Sequence, residues 1–231
     1  LIGGLAGDAL SDADYNVALG VYALSVDTLG SASTAIGHGS LSTQNFTTAT
    51  NVYNTAVGYR AGYVVTTGVE NTIIGGLAGD ALTSGFENVV VGKSALTTDT
   101  LGRGSTALGY ATLFNQNFTT ATTTQNTALG YYAGVSITTG VENTLIGSLA
   151  GDALTDTDYN VAIGTYALTA DTLGARNVAI GRSALATQNF TTATDSYNVA
   201  VGYHAGAAVT VGFSNTLIGG LACEDLTEGN M

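Results

Sequence analysis

The chain has 231 residues, with 32 Gly, no Pro and no Trp, and only 10% of its residues are charged, whereas typical soluble domains have roughly 25%. Seventeen acidic residues against five Lys and Arg give a net charge of −12, which argues against nucleic acid or an anionic lipid surface as a partner. Gly, Asn or Thr interrupts each apolar stretch, so there is no run of 18 apolar residues and we expect no membrane insertion.

The single cysteine and the first residue bear on the context of the chain. Cys223 has no second cysteine with which to form an intrachain disulfide, a composition that is compatible with any redox compartment. The sequence starts at Leu1, inside a repeat, and shows no signal peptide. We therefore expect it to be a segment of a longer protein.

A five-residue motif recurs along the whole chain: Asn, then Thr or Val, an apolar residue, an aliphatic residue and Gly. Clear copies are Asn16–Gly20 and Asn160–Gly164. The thirteen motif glycines are Gly3, Gly20, Gly37, Gly58, Gly75, Gly92, Gly109, Gly130, Gly147, Gly164, Gly181, Gly202 and Gly219. Such self-similarity at a fixed short period is the signature of a repeat architecture.

The spacing of the motif glycines defines a larger module. Successive glycines are 17, 17, 21 and 17 residues apart, and this series of 72 residues then repeats. The chain is therefore one repetitive domain, 1–231, made of three full modules and the start of a fourth. The modules are 1–72, 73–144, 145–216 and 217–231.

The period also predicts the fold class. A 17-residue coil is too short for a pair of helices but fits two strands of about five residues and two turns. Val, Ile and Thr alternate with small residues before each Gly, which is typical of strands. We predict an all-β parallel β-solenoid of about thirteen coils. The motif Gly should supply a positive φ or a close backbone approach, and the motif Asn, replaced only by Ser33 and Ser105, should stack along the axis.

Strand alternation predicts which side chains are buried. The residue before the motif Gly is a large aliphatic in every coil, and we assign it to the interior. These thirteen residues are Ile2, Leu19, Ile36, Val57, Ile74, Val91, Leu108, Leu129, Ile146, Ile163, Ile180, Val201 and Ile218. The preceding residue is usually Ala, as at Ala18, Ala56 and Ala162, and would then form a second apolar face. A strand that is apolar on both faces is buried on both, so we predict a homo-oligomer, with a trimer favoured.

The motifs resemble two groups of fibrous proteins. Asn160–Gly164 and Asn177–Gly181, both Asn-Val-Ala-Ile-Gly, look like the core repeat of trimeric autotransporter adhesin heads, which are left-handed parallel β-rolls. The run Asn126–Gly134, followed by Thr138–Gly140 and Asn143–Gly147, is similar to the NTAIG-type repeats of phage and bacterial tail-fibre-like proteins. The resemblance covers essentially the whole chain and implies a trimeric, surface-exposed or virion-borne shaft. The coils are longer than those of the adhesin heads, and none of the 231 residues shows the pattern of an anchor or a coiled-coil stalk.

The 21-residue coils carry the candidate binding residues. Each contains the stretch Gln-Asn-Phe-Thr-Thr-Ala-Thr, and we predict that its four extra residues leave the stack as a polar loop. Insertions of this kind often map to a binding face. The candidates are Asn45, Phe46, Thr47, Asn117, Phe118, Thr119, Asn189, Phe190 and Thr191. The alternative is that the three Phe residues only fill the enlarged coil.

The same stretches contain the N-glycosylation sequon Asn-Phe-Thr, at Asn45, Asn117 and Asn189. No other sequon occurs in the chain, which makes these residues candidate glycosylation sites. The alternative is that one accidental sequon was copied twice by duplication.

Two acidic segments, Asp12–Asn16 and Asp156–Asn160, imitate the opening of a calcium-binding loop, whereas the middle module has Ser84–Asn88 instead. Neither continues with the remaining ligands at EF-hand spacing, so solvated acidic turns are the favoured interpretation. The sequence contains no known catalytic, metal-binding or cofactor-binding motif. Its two histidines, His38 and His204, lie in non-equivalent coils and so do not form a repeated site. We expect neither an enzyme nor a metal or cofactor.

The last coil departs from the others, since Leu221-Ala-Cys-Glu-Asp-Leu226 replaces the usual Leu-Ala-Gly-Asp-Ala-Leu. This is what a terminal or junction coil would show. We expect Cys223 to be a buried small hydrophobe, with an interchain link as the alternative.

These features favour a structural or adhesive fibre shaft, extracellular, on a cell surface or on a virion, which presents loops to a cell-surface or glycan ligand. The alternative is a subunit of a self-assembling extracellular filament. A weaker alternative is an ice- or crystal-binding solenoid, which would need a regular Thr-x-Thr array that the sequence does not contain.

Overall fold

A computed structural model describes residues 1–229 of the chain. They form an all-β parallel β-solenoid of about twelve turns, without a helix, which confirms the predicted fold class. Among the described residues, none forms a helix long and apolar enough to cross a membrane. The chain divides into two compact units. The first comprises Leu1–Ala111 and Asn117–Thr123, and the second comprises Thr112–Gln116 and the residues from Thr124 onward.

The first unit contains ten strands. Its six three-residue strands are β1 (Val17–Leu19), β3 (Thr34–Ile36), β5 (Thr55–Val57), β6 (Thr72–Ile74), β7 (Val89–Val91) and β9 (Thr106–Leu108). They pair in that order as a parallel sheet. Its four two-residue strands are β2 (Gly30–Ser31), β4 (Thr50–Asn51), β8 (Gly102–Arg103) and β10 (Thr122–Thr123), with β2 paired to β4 and β8 to β10.

The second unit repeats this arrangement. Its three-residue strands are β11 (Thr127–Leu129), β12 (Thr144–Ile146), β13 (Val161–Ile163), β15 (Val178–Ile180), β17 (Val199–Val201) and β18 (Thr216–Ile218), and they also pair in order as a parallel sheet. The two-residue strands β14 (Gly174–Ala175) and β16 (Thr194–Asp195) pair with each other.

A 17-residue coil holds one strand of three residues, and a second strand, where one is present, has only two residues. The prediction of two five-residue strands per coil is therefore wrong. The reason lies in the backbone between the strands. Non-glycine residues take left-handed φ angles at several corners of one coil, for example 61° at Tyr15, 59° at Tyr22 and 51° at Leu24. A chain that turns this often leaves no room for a second extended segment of useful length.

The motif glycines combine the two roles predicted for them. Gly20 has a φ of 136°, in a region that L side chains rarely adopt. A Cβ atom at Gly20 would lie 2.5 Å from the carbonyl oxygen of Gly37 in the next coil. Both the backbone conformation and the distance between stacked coils therefore require Gly at this position.

The predicted orientation of the strands is wrong. The Ala residues face the interior, since Ala18 is 1% exposed and Ala162 is fully buried. The aliphatic residues before the motif Gly face outward, with Leu19 41% and Leu108 40% exposed. The interior of a 17-residue coil is narrow, so most strands can place only a methyl group there, and the larger side chain takes the outer side.

Larger inward side chains occur where glycine leaves space for them. Ile73 takes the position that is Ala in most coils, and it is fully buried. A Cβ atom at Gly62 would lie 2.9 Å from Ile73 Cδ1, and one at Gly79 would lie 3.4 Å from Ile73 Cγ2. In other coils, such as the one containing Ala162, a buried leucine (Leu168) replaces the glycine. In most coils a large residue thus fills the core at one of these two positions. Where both positions are small, a buried residue further along the coil fills the space, namely Val65, Ile137 or Val209.

The predicted asparagine ladder is confirmed. Asn71 donates from its backbone N and from Nδ2 to Asn54 Oδ1, at 2.9 and 3.3 Å. Its Nδ2 also donates to the carbonyl oxygen of Gly85 at 2.9 Å. Asn88 repeats these bonds with Asn71. Because the side chains are buried, the ladder satisfies amide groups that would otherwise cost free energy inside the coil.

The preferred interpretation of Cys223 is wrong, because its side chain is exposed. It takes the position of Gly79 and Gly151 in earlier coils, where the backbone donates to the next coil. In the described residues, no further coil covers this position at Cys223.

The corrected orientation predicts opposite outcomes for neighbouring residues. Ala162→Leu adds three carbons to a filled interior and should destabilise the fold by about 1–3 kcal/mol. Val161→Leu adds one carbon on the outer side and should change the stability by less than about 0.5 kcal/mol. Urea unfolding followed by circular dichroism measures both, and equal effects would contradict the assignment of the two faces.

Two half-buried carboxyl groups predict a pH effect. Loss of solvent on burial raises the pKa of Asp80 and that of Asp152 above 3.8, the value of an exposed Asp. A raised pKa in the folded state stabilises the fold at low pH, and this contribution is lost as pH rises through the folded pKa. Asp80→Asn should therefore raise the melting temperature at pH 7, with a difference that shrinks as the pH falls towards 3.8. A difference that grows at low pH would contradict this.

Candidate functional site: the loops of the long coils

The four extra residues of a long coil do not all lie in one loop. The difference in residue number between matched residues of neighbouring coils shows where the extra residues lie. It is 17 for Thr28 and Asn45, which are hydrogen-bonded, and 20 for Gly30 and Thr50, which are paired in a sheet. It reaches 21 for the strand pair Thr34 and Thr55. Three extra residues therefore bulge out between Asn45 and Thr50. The fourth is absorbed between Asn51 and Asn54, so the predicted four-residue loop is a three-residue loop.

The tips of these loops are exposed and polar. In the first long coil, Thr47, Thr48 and Ala49 are exposed. The backbone returns to the stack at once, since Thr50 N donates to the carbonyl oxygen of Leu29. The corresponding exposed tips are 119–121 and 191–193. The structure thus presents the same Thr-Thr-Ala tip at three equivalent places.

The three phenylalanines anchor the loops. Phe46, Phe118 and Phe190 are only 8%, 5% and 8% exposed. The backbone carbonyl oxygen of Phe46 accepts a bond from Leu29 N, which ties it to the preceding coil. Their side chains fill the enlarged coil, so a ligand approaching from solvent would meet the threonines instead.

A buried carboxylate holds the base of each loop, as the third module shows. Asp171 is fully buried, and its Oδ1 accepts from the backbone N of Gly174 and of Phe190, both at 3.0 Å. Its Oδ2 accepts from Gln188 Nε2 at 2.5 Å. Gln188 Oε1 in turn accepts from Asn198 Nδ2 at 2.8 Å, which joins the loop base to the asparagine ladder. A fully bonded buried network of this kind makes the loop base rigid.

The sequence interpretation missed this carboxylate, although a signal was present. The segment Asp-Thr-Leu-Gly occurs at 27–30, 99–102 and 171–174, each time in the coil before a long coil. The glycine is needed, because a Cβ atom at Gly30 would lie 2.2 Å from Asp27 Oδ2. An Asp and a Gly that recur only before the longer coils indicate a structural role in forming the loop.

The three sequon asparagines lie at the surface. Asn117 and Asn189 are exposed and Asn45 is half-buried. The side-chain oxygen of Asn189 accepts a bond from Thr172 Oγ1 at 3.1 Å, and Asn117 is held in the same way by Thr100. This places all three amides where a glycan could extend into solvent. Glycosylation itself remains a prediction.

A cavity of about 390 Å³ lies beside the third loop. Residues 193–195 of the long coil and residues 156–158 of an earlier coil line it, so it contains three aspartates. One of them, Asp195, forms an ion pair with Arg176 at 3.0 Å. The structure thus brings the acidic segment of the module next to the loop, which the sequence pattern did not predict.

The other two aspartates accept hydrogen bonds from the preceding coil. Asp156 Oδ1 accepts from Thr139 Oγ1 at 2.7 Å, and Asp158 Oδ1 accepts from Val141 N at 2.8 Å. These bonds support the interpretation of the segment as an acidic turn. Within residues 1–229, no group of three or more His, Cys, Asp or Glu residues is arranged to hold a metal ion.

Comparisons with known proteins identify no relative: no family model, no curated protein and no solved structure matches the chain.

The buried carboxylate makes a prediction about the loop base. Asp171→Asn keeps the size of the side chain but replaces an acceptor with an amide donor, which would face the donors of Gly174, Gln188 or Phe190. We expect a loss of about 1–3 kcal/mol in stability and faster hydrogen exchange at the Phe190 amide. Asp12→Asn, on an exposed turn, is the control. Unchanged exchange at Phe190 would mean that Asp171 does not hold the loop.

Proposed function

We propose that this chain is a non-enzymatic fibre shaft, extracellular, on a cell surface or on a virion, whose coils space and present the loops of the long coils for attachment. The observation that carries the proposal is the contrast within each long coil. The tip, such as 191–193, is exposed and polar, whereas its base contains a buried phenylalanine and a fully bonded buried aspartate. Binding residues are commonly found on loops held by a rigid scaffold.

The repetition of the loop supports attachment to a surface that carries many copies of one ligand. In the first unit, the tips at 47–49 and 119–121 are four coils apart, which corresponds to roughly 19 Å at about 4.8 Å per coil. Several weak contacts made together by one rigid body bind far more tightly than each contact alone. Threonine hydroxyl groups both donate and accept hydrogen bonds, which suits the hydroxyl groups of a cell-surface glycan.

The proposal includes a homo-oligomer, with a trimer favoured. The sequence pattern predicted this oligomer from an outward face of alanines, but the alanines are buried inside the coil. In the first unit the outward face is instead formed by larger aliphatic side chains, such as Val17, Leu19 and Leu108, each at least 40% exposed. A continuous exposed apolar surface marks an interaction site, so the corrected orientation supports association more strongly than the predicted one.

The weaker alternative is an ice- or crystal-binding solenoid, which would use the regular outer side of the sheet. One outward row contains Thr in seven of the twelve strands, among them Thr34, Thr55 and Thr72, and Val in the other five. The second outward row is aliphatic throughout. A Thr-x-Thr array is therefore absent from these strands. A thermal-hysteresis measurement separates this candidate from the fibre.

Deletion of the three tips tests the proposal. A variant lacking 47–49, 119–121 and 191–193 should keep its circular dichroism spectrum and melting temperature, because the Phe and Asp of each loop base remain. It should lose binding to a glycan array or to target cells. The control variant, Thr67→Gly with Thr138→Gly, alters exposed residues of ordinary coils and should bind normally. If the deletion unfolds the protein, the loops are structural and the proposal is wrong.

A further inference from the structure

The outward side of the three-residue strands forms one uncharged, mainly aliphatic surface in each unit, here called the outer face. Every strand contributes its first and third residues to this face, which are Val or Thr and then Ile, Leu or Val. In the first unit these residues are Val17, Leu19, Thr34, Ile36, Thr55, Val57, Thr72, Ile74, Val89, Val91, Thr106 and Leu108. None of the twelve is charged, and every one is exposed or half-buried.

The residue after each motif Gly lines one side of the outer face, where the strands end. It is acidic in no coil and basic in three coils, at His38, Lys93 and Arg182. We call this side the basic edge. Its tyrosines are Tyr59, Tyr110, Tyr131 and Tyr203. In a chain with a net charge of −12, an edge without carboxylates sets this surface apart.

The residue five positions before each motif Gly lines the opposite side, where the strands begin. It is glutamate in three coils, at Glu70, Glu87 and Glu142, and all three are exposed. We call this side the acidic edge. Its one basic residue, Arg176, is already paired with Asp195. Its tyrosines are Tyr15, Tyr53, Tyr159 and Tyr197.

Along each strand, the acidic edge comes first, then the outer face, then the basic edge. This order favours one orientation of a second copy. If two outer faces meet with their coils stacked in the same direction, the strands of the two copies run in opposite directions. The basic edge of each copy then lies against the acidic edge of the other. If the coils run in opposite directions, basic edge meets basic edge and acidic edge meets acidic edge, which is unfavourable. The same pairing of edges arises around a three-fold axis, where each copy meets its neighbour head to tail.

The in-register arrangement pairs residues of the same coil, and these pairs match in charge and size. Lys93 meets Glu87, because both flank strand β7. Glu70 meets Gly76, and Tyr110 meets Gly104, so a large residue faces a glycine in both cases.

Two further coils place tyrosine opposite tyrosine, as Tyr59 with Tyr53 and Tyr203 with Tyr197. Aromatic pairs of this kind stabilise an interface beyond the area they bury. The one pair of like charges, Arg182 with Arg176, is relieved by the ion pair that Arg176 already makes with Asp195.

The area of the outer face shows that the edges are needed. Six three-residue strands, about 4.8 Å apart and about 3.3 Å per residue, cover roughly 290 Å² in each unit. Each unit thus presents well under half of the about 800 Å² per partner that a stable interface of standard size needs. The tyrosines and charged residues of the two edges must supply the remainder.

We infer that the outer face is the self-association surface of this chain. A second copy packs on it with its coils parallel and in register, so that basic edge meets acidic edge. The inference rests on the homo-oligomer of the proposed function and adds its surface, direction and register. Ridges of aliphatic side chains repeat along the sheet once per coil, and only a partner with the same period can interdigitate with them along its whole length.

A charge swap tests the paired edges. Lys93→Glu places a carboxylate opposite Glu87, and Glu87→Lys places an amine opposite Lys93, so each change should raise the dissociation constant by about 3- to 10-fold. The chain with both changes should return to the wild-type value. Glu70→Lys is the matched control, since it makes the same change on the same edge but faces Gly76. Sedimentation over a range of concentrations measures all four variants. Equal weakening by Glu70→Lys and Glu87→Lys, or no recovery in the double variant, would overturn the register.

A disulfide test separates failure of this inference from failure of the proposed function. In a Cys223→Ser background, chains with Tyr53→Cys and chains with Tyr59→Cys are mixed and oxidised. Parallel, in-register packing predicts a disulfide between the two kinds of chain. Assembly with disulfides only between identical chains would overturn the orientation and leave the homo-oligomer intact. A monomer at all concentrations would overturn the inference and the proposed homo-oligomer together, while binding by the loops is measured separately.

Discussion

The narrow interior of a 17-residue coil is the constraint on which the rest of this solenoid depends. Only a methyl group fits inside most strands, so alanine lies inward and the larger aliphatic residue lies outward. Where a strand carries Ile73 instead, glycines at 62 and 79 leave the space that its side chain occupies. The same limit on space explains the motif glycine, whose missing Cβ allows the next coil to approach. The limited space inside the coil therefore determines which residue types occupy the core, the corner and the outer face.

Polar groups inside the coil turn this stack into a defined scaffold. The asparagine ladder satisfies buried amides from coil to coil, and at each long coil it joins a buried aspartate and glutamine. An unpaired carboxylate in this interior would cost several kcal/mol, so the network is stable only when every bond is made. The loop above Asp171 thereby has a rigid base and an exposed tip. This difference in environment within a few residues is what makes the tips suitable for recognition.

The exposed aliphatic face and the loops serve different parts of the proposed function. Outward aliphatic residues and their charged edges suit association with further copies, whereas the Thr-Thr-Ala tips, such as 191–193, suit contact with a ligand. In a multi-copy fibre, each chain would add its own set of tips. Association would therefore increase the number of contacts available to a repetitive surface, and weak individual contacts would be sufficient.

The sequence by itself determined the repeat, the parallel β-solenoid, the asparagine ladder and the position of the long coils, because these depend on period and residue type alone. Tertiary structure decided which side of each strand is inside. Ala18 and Leu19 are both apolar, so alternation cannot distinguish their faces, and only the space enclosed by the coil does. It also decided the role of Asp27, whose carboxylate is buried because neighbouring coils bring the backbone of Phe46 within 2.9 Å. Contacts between coils are set by the stacking distance, and a local pattern does not contain that distance.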